Sequence, residues 1–284
     1  MHALGREEPR VSPLASRLIV AVIGLPIVLA LVWGGGWWLF ALLAFAALMG
    51  LHEYYLLIRS LHPLVLAGYA GVALTLLGAR LGGLPWAVGG LFATILIAFA
   101  QYGISRTRQP ATIAIGVTML GVAWIGGGLA SFYLIRAIPP GGHHLGQLAA
   151  FTVLLAVFAA DTAAYAMGRL AGRHKLSPVL SPGKTWEGFF AGVVAAIAVA
   201  FFALYDDRAY FLAIWQALLL GAVIAAAEVI GDLFESSLKR DMHVKDTGRL
   251  LGGHGGMLDR IDSLLFASMA AFFTLVAFGV VPGL

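Results

Sequence analysis

Two stretches of the sequence gather side chains suited to metal and phosphate chemistry. In EVIGDLFESSLKRDMHVKDTGRLLGGHGGMLDRID, residues 228–262, Glu228, Asp232 and Glu235 are spaced i, i+4, i+7 and share one face of a helix. Three acids on one face repel unless cations neutralise them, and Lys239 and Arg240 or a bound metal can do so. Glu235 reads as a solvated, ion-paired helix end. Asp232, beside Gly231, is not explained that way. Downstream, Lys245 and Asp246 precede the glycines Gly252, Gly253, Gly255 and Gly256, which surround His254. Such a run can turn its backbone amides toward an anion. Asp259 and Asp262 follow with Arg260 between them. Their carboxylates suit Mg²⁺, a hard cation that bridges to phosphate oxygens.

The second stretch opens with Asp161, Tyr165 and Arg169, which form a helical stripe of carboxylate, phenol and guanidinium. Gly168 and Gly172, near its end, permit close approach. In SPVLSPGKTWEG, residues 177–188, Ser181, Lys184 and Thr185 can donate to phosphate, and Pro178 and Pro182 stiffen the approach. The GKT within it is not a P-loop, because Pro178 stands where the first glycine is required and no buried strand precedes it. The glycines at 252–256 follow no strand of a βαβ unit, so a dinucleotide fingerprint fails as well. His243 and His254 without cysteine or HExxH make a poor zinc site. A third acid at membrane depth, Glu53 in His52–Glu53–Tyr54–Tyr55, reads equally as a helix-end anchor or a functional group.

These groups must be positioned by helices in a membrane. Of 284 residues, 61% are apolar and 11% charged, and the net charge is +4; mean hydropathy is +0.92. A soluble domain of this length has too little interior for so much apolar surface, which excludes a soluble enzyme. The absence of cysteine excludes disulfides, thiolate zinc sites and cysteine nucleophiles. A span needs about 17–25 apolar residues. On that ruler nine candidates stand out, at 18–34, 36–58, 63–79, 84–102, 110–130, 145–167, 188–204, 211–230 and 264–281. The first is read as a retained helix rather than a cleaved signal. With the N-terminus cytoplasmic, fifteen basic residues fall on the cytoplasmic side and only Arg80, Arg136 and Arg208 opposite, where the C-terminus also lies. The basic residues follow this membrane rule rather than a nucleic-acid patch. The expected architecture is therefore an all-α polytopic membrane protein, with N-terminal helices over 1–140 and a catalytic region over 141–284. Cytoplasmic loops at 168–187 and 231–263 hold nine of the eighteen basic residues.

The run from Ser236 to Asp262 resembles the signature of the phosphatidate cytidylyltransferases, or CDP-diacylglycerol synthases. It matches at Ser236, Leu238, Lys239, Arg240, Lys245, Asp246, Gly248, Leu251, Gly252, His254, Gly255, Gly256, Met257, Asp259, Arg260, Ile261 and Asp262, with no departure. Asp161 to Tyr165, and Ser181 through Lys184, Thr185 and Glu187 to Gly188, resemble the family's second polar region. The resemblance covers the C-terminal half firmly and the first 140 residues only through hydropathy.

The resemblance implies an enzyme that uses CTP and phosphatidic acid to make CDP-diacylglycerol and pyrophosphate, as a homodimer in a bacterial inner membrane with its site on the cytoplasmic side. It assigns Asp232 and Asp259 to Mg²⁺. A second Mg²⁺ or a K⁺ has Asp246 or Asp262 as further ligands. Lys239, Arg240, Lys245 and Arg260 hold phosphates, Ser181 and Lys184 meet the nucleotide or the lipid, and His254 contacts phosphate. No protein nucleophile or general base is needed, because a phosphate monoester is already ionised near neutral pH. A CTP-dependent lipid kinase and a transporter are the competing readings; the Asp-Gly-x-x-Ala-Arg run of a CDP-alcohol phosphotransferase is missing.

Overall fold

The computed structural model describes residues 13–105, 109–139, 144–207, 211–244, 247–248 and 255–281. Among these residues it is helical apart from one short hairpin. Helix α1 (Pro13–Gly34) ends at Gly35 and Gly36, whose φ values of 61° and 54° reverse the chain into α2 (Gly36–Leu57). Positive φ costs glycine nothing. The exposed carbonyls at the end of α1 are capped from afar: Arg136 donates from Nε to Val32 O at 2.8 Å and from Nη2 to Trp33 O at 2.7 Å. Arg80 lies over the Trp37 ring at 4.6 Å. Two of the three arginines expected opposite the cytoplasm thus serve as structural ties.

Helix α3 (Val65–Ile104) is 40 residues long but folds back at Gly82 and Gly83, the latter with φ 69°, just before Pro85. In a straight helix Gly71 and Thr94 would lie about 35 Å apart. Here a Cβ on Gly71 would run into the Thr94 side chain, one on Gly78 into the Trp86 backbone, and one on Gly90 into Leu74 and Thr75. That register belongs to two antiparallel helices, and the glycines let their backbones meet. Helices α4 (Ala111–Gly121) and α5 (Gly127–Arg136) form one continuous run through a π-helical turn at Val122–Gly126.

Helices α6 (Leu145–Ala171), α7 (Trp186–Leu204), α8 (Ile214–Asp241) and α9 (Leu258–Ala277) complete the bundle. Glycines again set the contacts. Gly188 and Gly192 of α7 lie on the α6 backbone at Ala164 and Ala160, Gly221 of α8 on Ala196 and Ile197, and Gly231 of α8 on Asp262 and Ser263 of α9. Gly128 of α5 abuts Leu265 of α9. One buried cluster runs from Val32 to Leu275. Within it Trp124, in the π turn, packs edge-on against Phe234 at 4.8 Å and lies near Phe266. These rings pack the π turn against α8 and α9. Among the described residues, seven helices are long and apolar enough to cross a bilayer, counting α3 once and joining α4 to α5. The chain is a polytopic integral membrane protein.

The loop expected at 168–187 contains the hairpin, in which β1 (Lys175–Ser177) pairs antiparallel with β2 (Ser181–Thr185). Thr185 caps α7 by accepting from Gly188 N at 3.2 Å.

The α3 hairpin yields a paired test. Gly90→Ala places a methyl 2.6 Å from the Thr75 nitrogen. It is expected to cost about 1–3 kcal/mol, as overpacking does, and to lower the unfolding temperature in detergent. At the neighbouring Gly89 a Cβ meets nothing within 4 Å, so Gly89→Ala is expected to leave that temperature unchanged or slightly raised.

Candidate active site

The α6 stripe, the β-hairpin, the start of α7 and Asp232 of α8 enclose a cavity of about 450 Å³. Asp161, Tyr165, Arg169, Ser181, Lys184, Thr185 and Asp232 all line it. The stripe forms as its spacing requires, with Arg169 Nη1 donating to Tyr165 Oη at 3.0 Å. The hairpin is held over the cavity by Lys184, whose ammonium lies 2.6 Å from Asp232 Oδ2 and 3.9 Å from Glu228 Oε1. Burial works against this charge, but the Asp232 carboxylate outweighs it, aided by Glu228, and holds the Lys184 pKa above the ordinary lysine value.

Asp232 also belongs to a second group. Its carboxylate, that of Glu235 and that of Asp262 offer oxygens all within 4.8 Å of one another. Glu235 is 1% exposed and Asp262 7%. Lys239 donates to Glu235 Oε2 at 2.7 Å and to Asp259 Oδ1 at 2.9 Å. The other oxygen of Asp259 accepts from Gly256 N at 2.8 Å and Thr247 N at 3.3 Å. Asp259 therefore folds the signature around itself and stands next to the acid group rather than in it. Among the described residues, Glu235 Oε1 is buried and finds no hydrogen-bond donor.

Other expected residues have different surroundings. Glu187 does not line the cavity; it accepts from His174 Nδ1 at 2.6 Å and from the His174 amide, closing the base of the hairpin. Ser236 donates to Asp232 Oδ1 at 3.4 Å. Arg240 Nε reaches Leu180 O at 3.5 Å, tying the end of α8 to the hairpin turn. Gly255 has φ +83°, and the Gly256 amide is turned toward Asp259. Arg260 is exposed. Lys245, Asp246 and His254 lie outside the described residues.

Two acids are more deeply embedded than their local sequence suggests. Glu235 is ion-paired as expected, but it is buried in the acid group, and its spacing to Asp232 and Lys239 already carried that signal. Glu53 lies 205 positions before Leu258, yet it accepts from the Leu258 amide at 2.8 Å. No local pattern announces that contact.

The sequence matches the family described as "Cytidylyltransferase family" across residues 15–278. The chain belongs to that family. Relatives named phosphatidate cytidylyltransferase include one from Mycobacterium bovis, 32% identical over 89% of this chain and 85% of its own length. Another, from Synechocystis, is 31% identical over 92% of this chain and 96% of its own. One from Staphylococcus haemolyticus is 44% identical over 52% of this chain, about half (54%) of that relative's length. This cytidylyltransferase is thus a nucleotidyl-transferring membrane enzyme.

Its site also makes a stability prediction. Lys239→Met leaves the buried Glu235 without its ammonium and Asp259 without one partner. Removing one side of a buried pair costs about 3–5 kcal/mol, so thermal unfolding in detergent should fall markedly. Adding Glu235→Gln should recover part of the loss.

Proposed function

We infer that this cytidylyltransferase makes CDP-diacylglycerol from CTP and phosphatidic acid, using the cavity bounded by α6, the hairpin and Asp232. The observation that carries this placement is Asp232 itself, which lines the cavity and also completes the acid group beside it. An oxygen of the lipid phosphate attacks the α-phosphorus of CTP in line. The new O–P bond forms as the bond to the bridging oxygen breaks, and pyrophosphate carries away the electron pair. No covalent protein intermediate is needed. Both reactants are anionic, so the protein must bring fixed positive charge to them. Arg169 and Lys184 supply it at the cavity wall, and Lys239, Arg240 and Arg260 supply it along the signature. Tyr165, Ser181 and Thr185 add neutral donors, while Asp161 can accept from a hydroxyl or amino group. The acyl chains can stay in lipid throughout, which avoids exposing them to water.

The acid group fits a hard divalent ion: its donors are all carboxylate oxygens, two of the three acids are buried, and Glu235 Oε1 lacks a donor. Asp232, Glu235 and Asp262 would hold Mg²⁺. Asp259 remains a further ligand in this reading, and Asp246 is a candidate for a second Mg²⁺ or K⁺. When bound, the ion neutralises the acids and polarises phosphoryl oxygens.

The remaining placements are part of the same reading. Nine crossings follow if each limb of α3 and all of α1 span the bilayer, and the distribution of arginine and lysine supports a cytoplasmic N-terminus, a cytoplasmic site and an opposite C-terminus. The polar, signature-bearing 141–284 region is read as catalytic and 1–140 as its scaffold. Bacterial relatives support an inner-membrane location, and the family resemblance supports a homodimer.

The deciding assay offers phosphatidate and CTP labelled at the α- or the γ-phosphate to protein in detergent. Label from the α position is expected in the lipid and γ label in pyrophosphate, with both lost on chelation of Mg²⁺. Appearance of γ label in the lipid would overturn cytidylyl transfer in favour of a kinase. Asp232→Asn is expected to lower turnover by more than about 100-fold, the upper end of what loss of an outer metal partner costs.

A further inference from the structure

Glu53 has no place in the chemistry above and does not line the cavity. It comes from α2, in the half of the chain without the signature, yet it is 3% exposed and sits under the signature segment. Its Oε2 accepts the Leu258 amide at 2.8 Å, the first N–H of α9, where a carboxylate is favoured by the helix dipole. Two signature glycines close over it. A Cβ on Gly248 would lie 2.6 Å from Glu53 Oε1, 2.9 Å from its Cδ and 3.1 Å from its Cγ, and one on Gly256 would strike Oε2. At both positions the missing side chain leaves room for the buried carboxylate.

We propose that Glu53 is a positioning residue that caps α9 from across the bundle and holds Gly248, Gly256 and Leu258 of the signature so that Asp259 meets Lys239. The connections are continuous. Glu53 fixes Leu258 and abuts Gly248 and Gly256. The amides of Thr247 and Gly256 bind Asp259 Oδ2, and Asp259 Oδ1 binds Lys239, which also binds Glu235 of the acid group. With Glu53 removed, the α9 amide loses its acceptor and Asp259 is free to drift. Lys239 is then left to Glu235 alone and competes with a cation for that carboxylate. The last link rests on the metal reading given above, whereas the placement of the loop does not.

The test uses the full chain in detergent or lipid discs, with Glu53→Ala, Glu53→Gln, Gly248→Ala and the Glu53→Ala/Gly248→Ala double variant. Amide exchange is read over 255–262 without added metal. Glu53→Ala should speed exchange at Leu258 and Gly256 by at least tenfold, while Glu53→Gln, which keeps an oxygen acceptor, should stay within about threefold of wild type. Unchanged exchange in Glu53→Ala, or equal acceleration in both variants, would overturn the cap. Gly248→Ala should lower the unfolding temperature on its own but have little further effect when Glu53 is already Ala, because the space has been vacated. Simple additivity would sink the glycine argument.

In the cytidylyl-transfer assay the half-saturating Mg²⁺ concentration should rise at least threefold in Glu53→Ala and return in Glu53→Gln. A lower fraction of folded enzyme would not move that concentration. An unshifted value would break the link to the acid group. If wild-type protein transfers no cytidylyl group, the reaction assigned above fails, and the exchange and unfolding arms still decide the role of Glu53.

Discussion

Burying carboxylates among apolar helices is costly unless each finds a cation or a donor, and this constraint organises the end of the bundle that carries the cavity and the acid group. Lys184 answers Asp232 and Glu228, and in doing so draws the β-hairpin onto α8. Lys239 answers Glu235 and Asp259, and in doing so joins α8 to the start of α9. The cavity is what remains between the first of these ties and the α6 stripe. Position and chemistry thus have one origin: the groups that neutralise the acids also shape the space beside them.

Much of this was legible in the sequence because it is periodic or densely motif-bound. Apolar runs located the helices, and the i, i+4, i+8 spacing of Asp161, Tyr165 and Arg169 predicted one lining face. What was illegible depends on contacts that no local pattern encodes. The hairpin at 175–185 looked like a loop because its strands are short and half-exposed, without alternating apolar positions. The pairing of Asp232 with Asp259 came from the family resemblance; the partners of Asp259 here, Lys239 and two backbone amides, could not be read from spacing. Glu53 could be counted as a buried acid, but its partner Leu258 could not be read from spacing.

The N-terminal helices accordingly do more than anchor the chain. Trp124 packs on Phe234 of α8 and lies near Phe266 of α9, Gly128 seats α5 against α9, and Arg136 ties α1 to α5. The match to the cytidylyltransferase family extends through this region, although its sequence shows little beyond hydrophobicity. Close helix packing in lipid asks for small residues at contacts, and glycine and alanine meet that demand without forming a recognisable motif.

The doubling back of α3 at Gly82–Gly83 carries a topological consequence. A segment that leaves and returns to the same face adds an even number of passes, so its gain or loss does not invert anything downstream. The orientation of the hairpin, the acid group and the signature is therefore insulated from changes in the length or presence of that limb pair. Whatever the length of its two limbs, α4 starts on the face from which α3 set out.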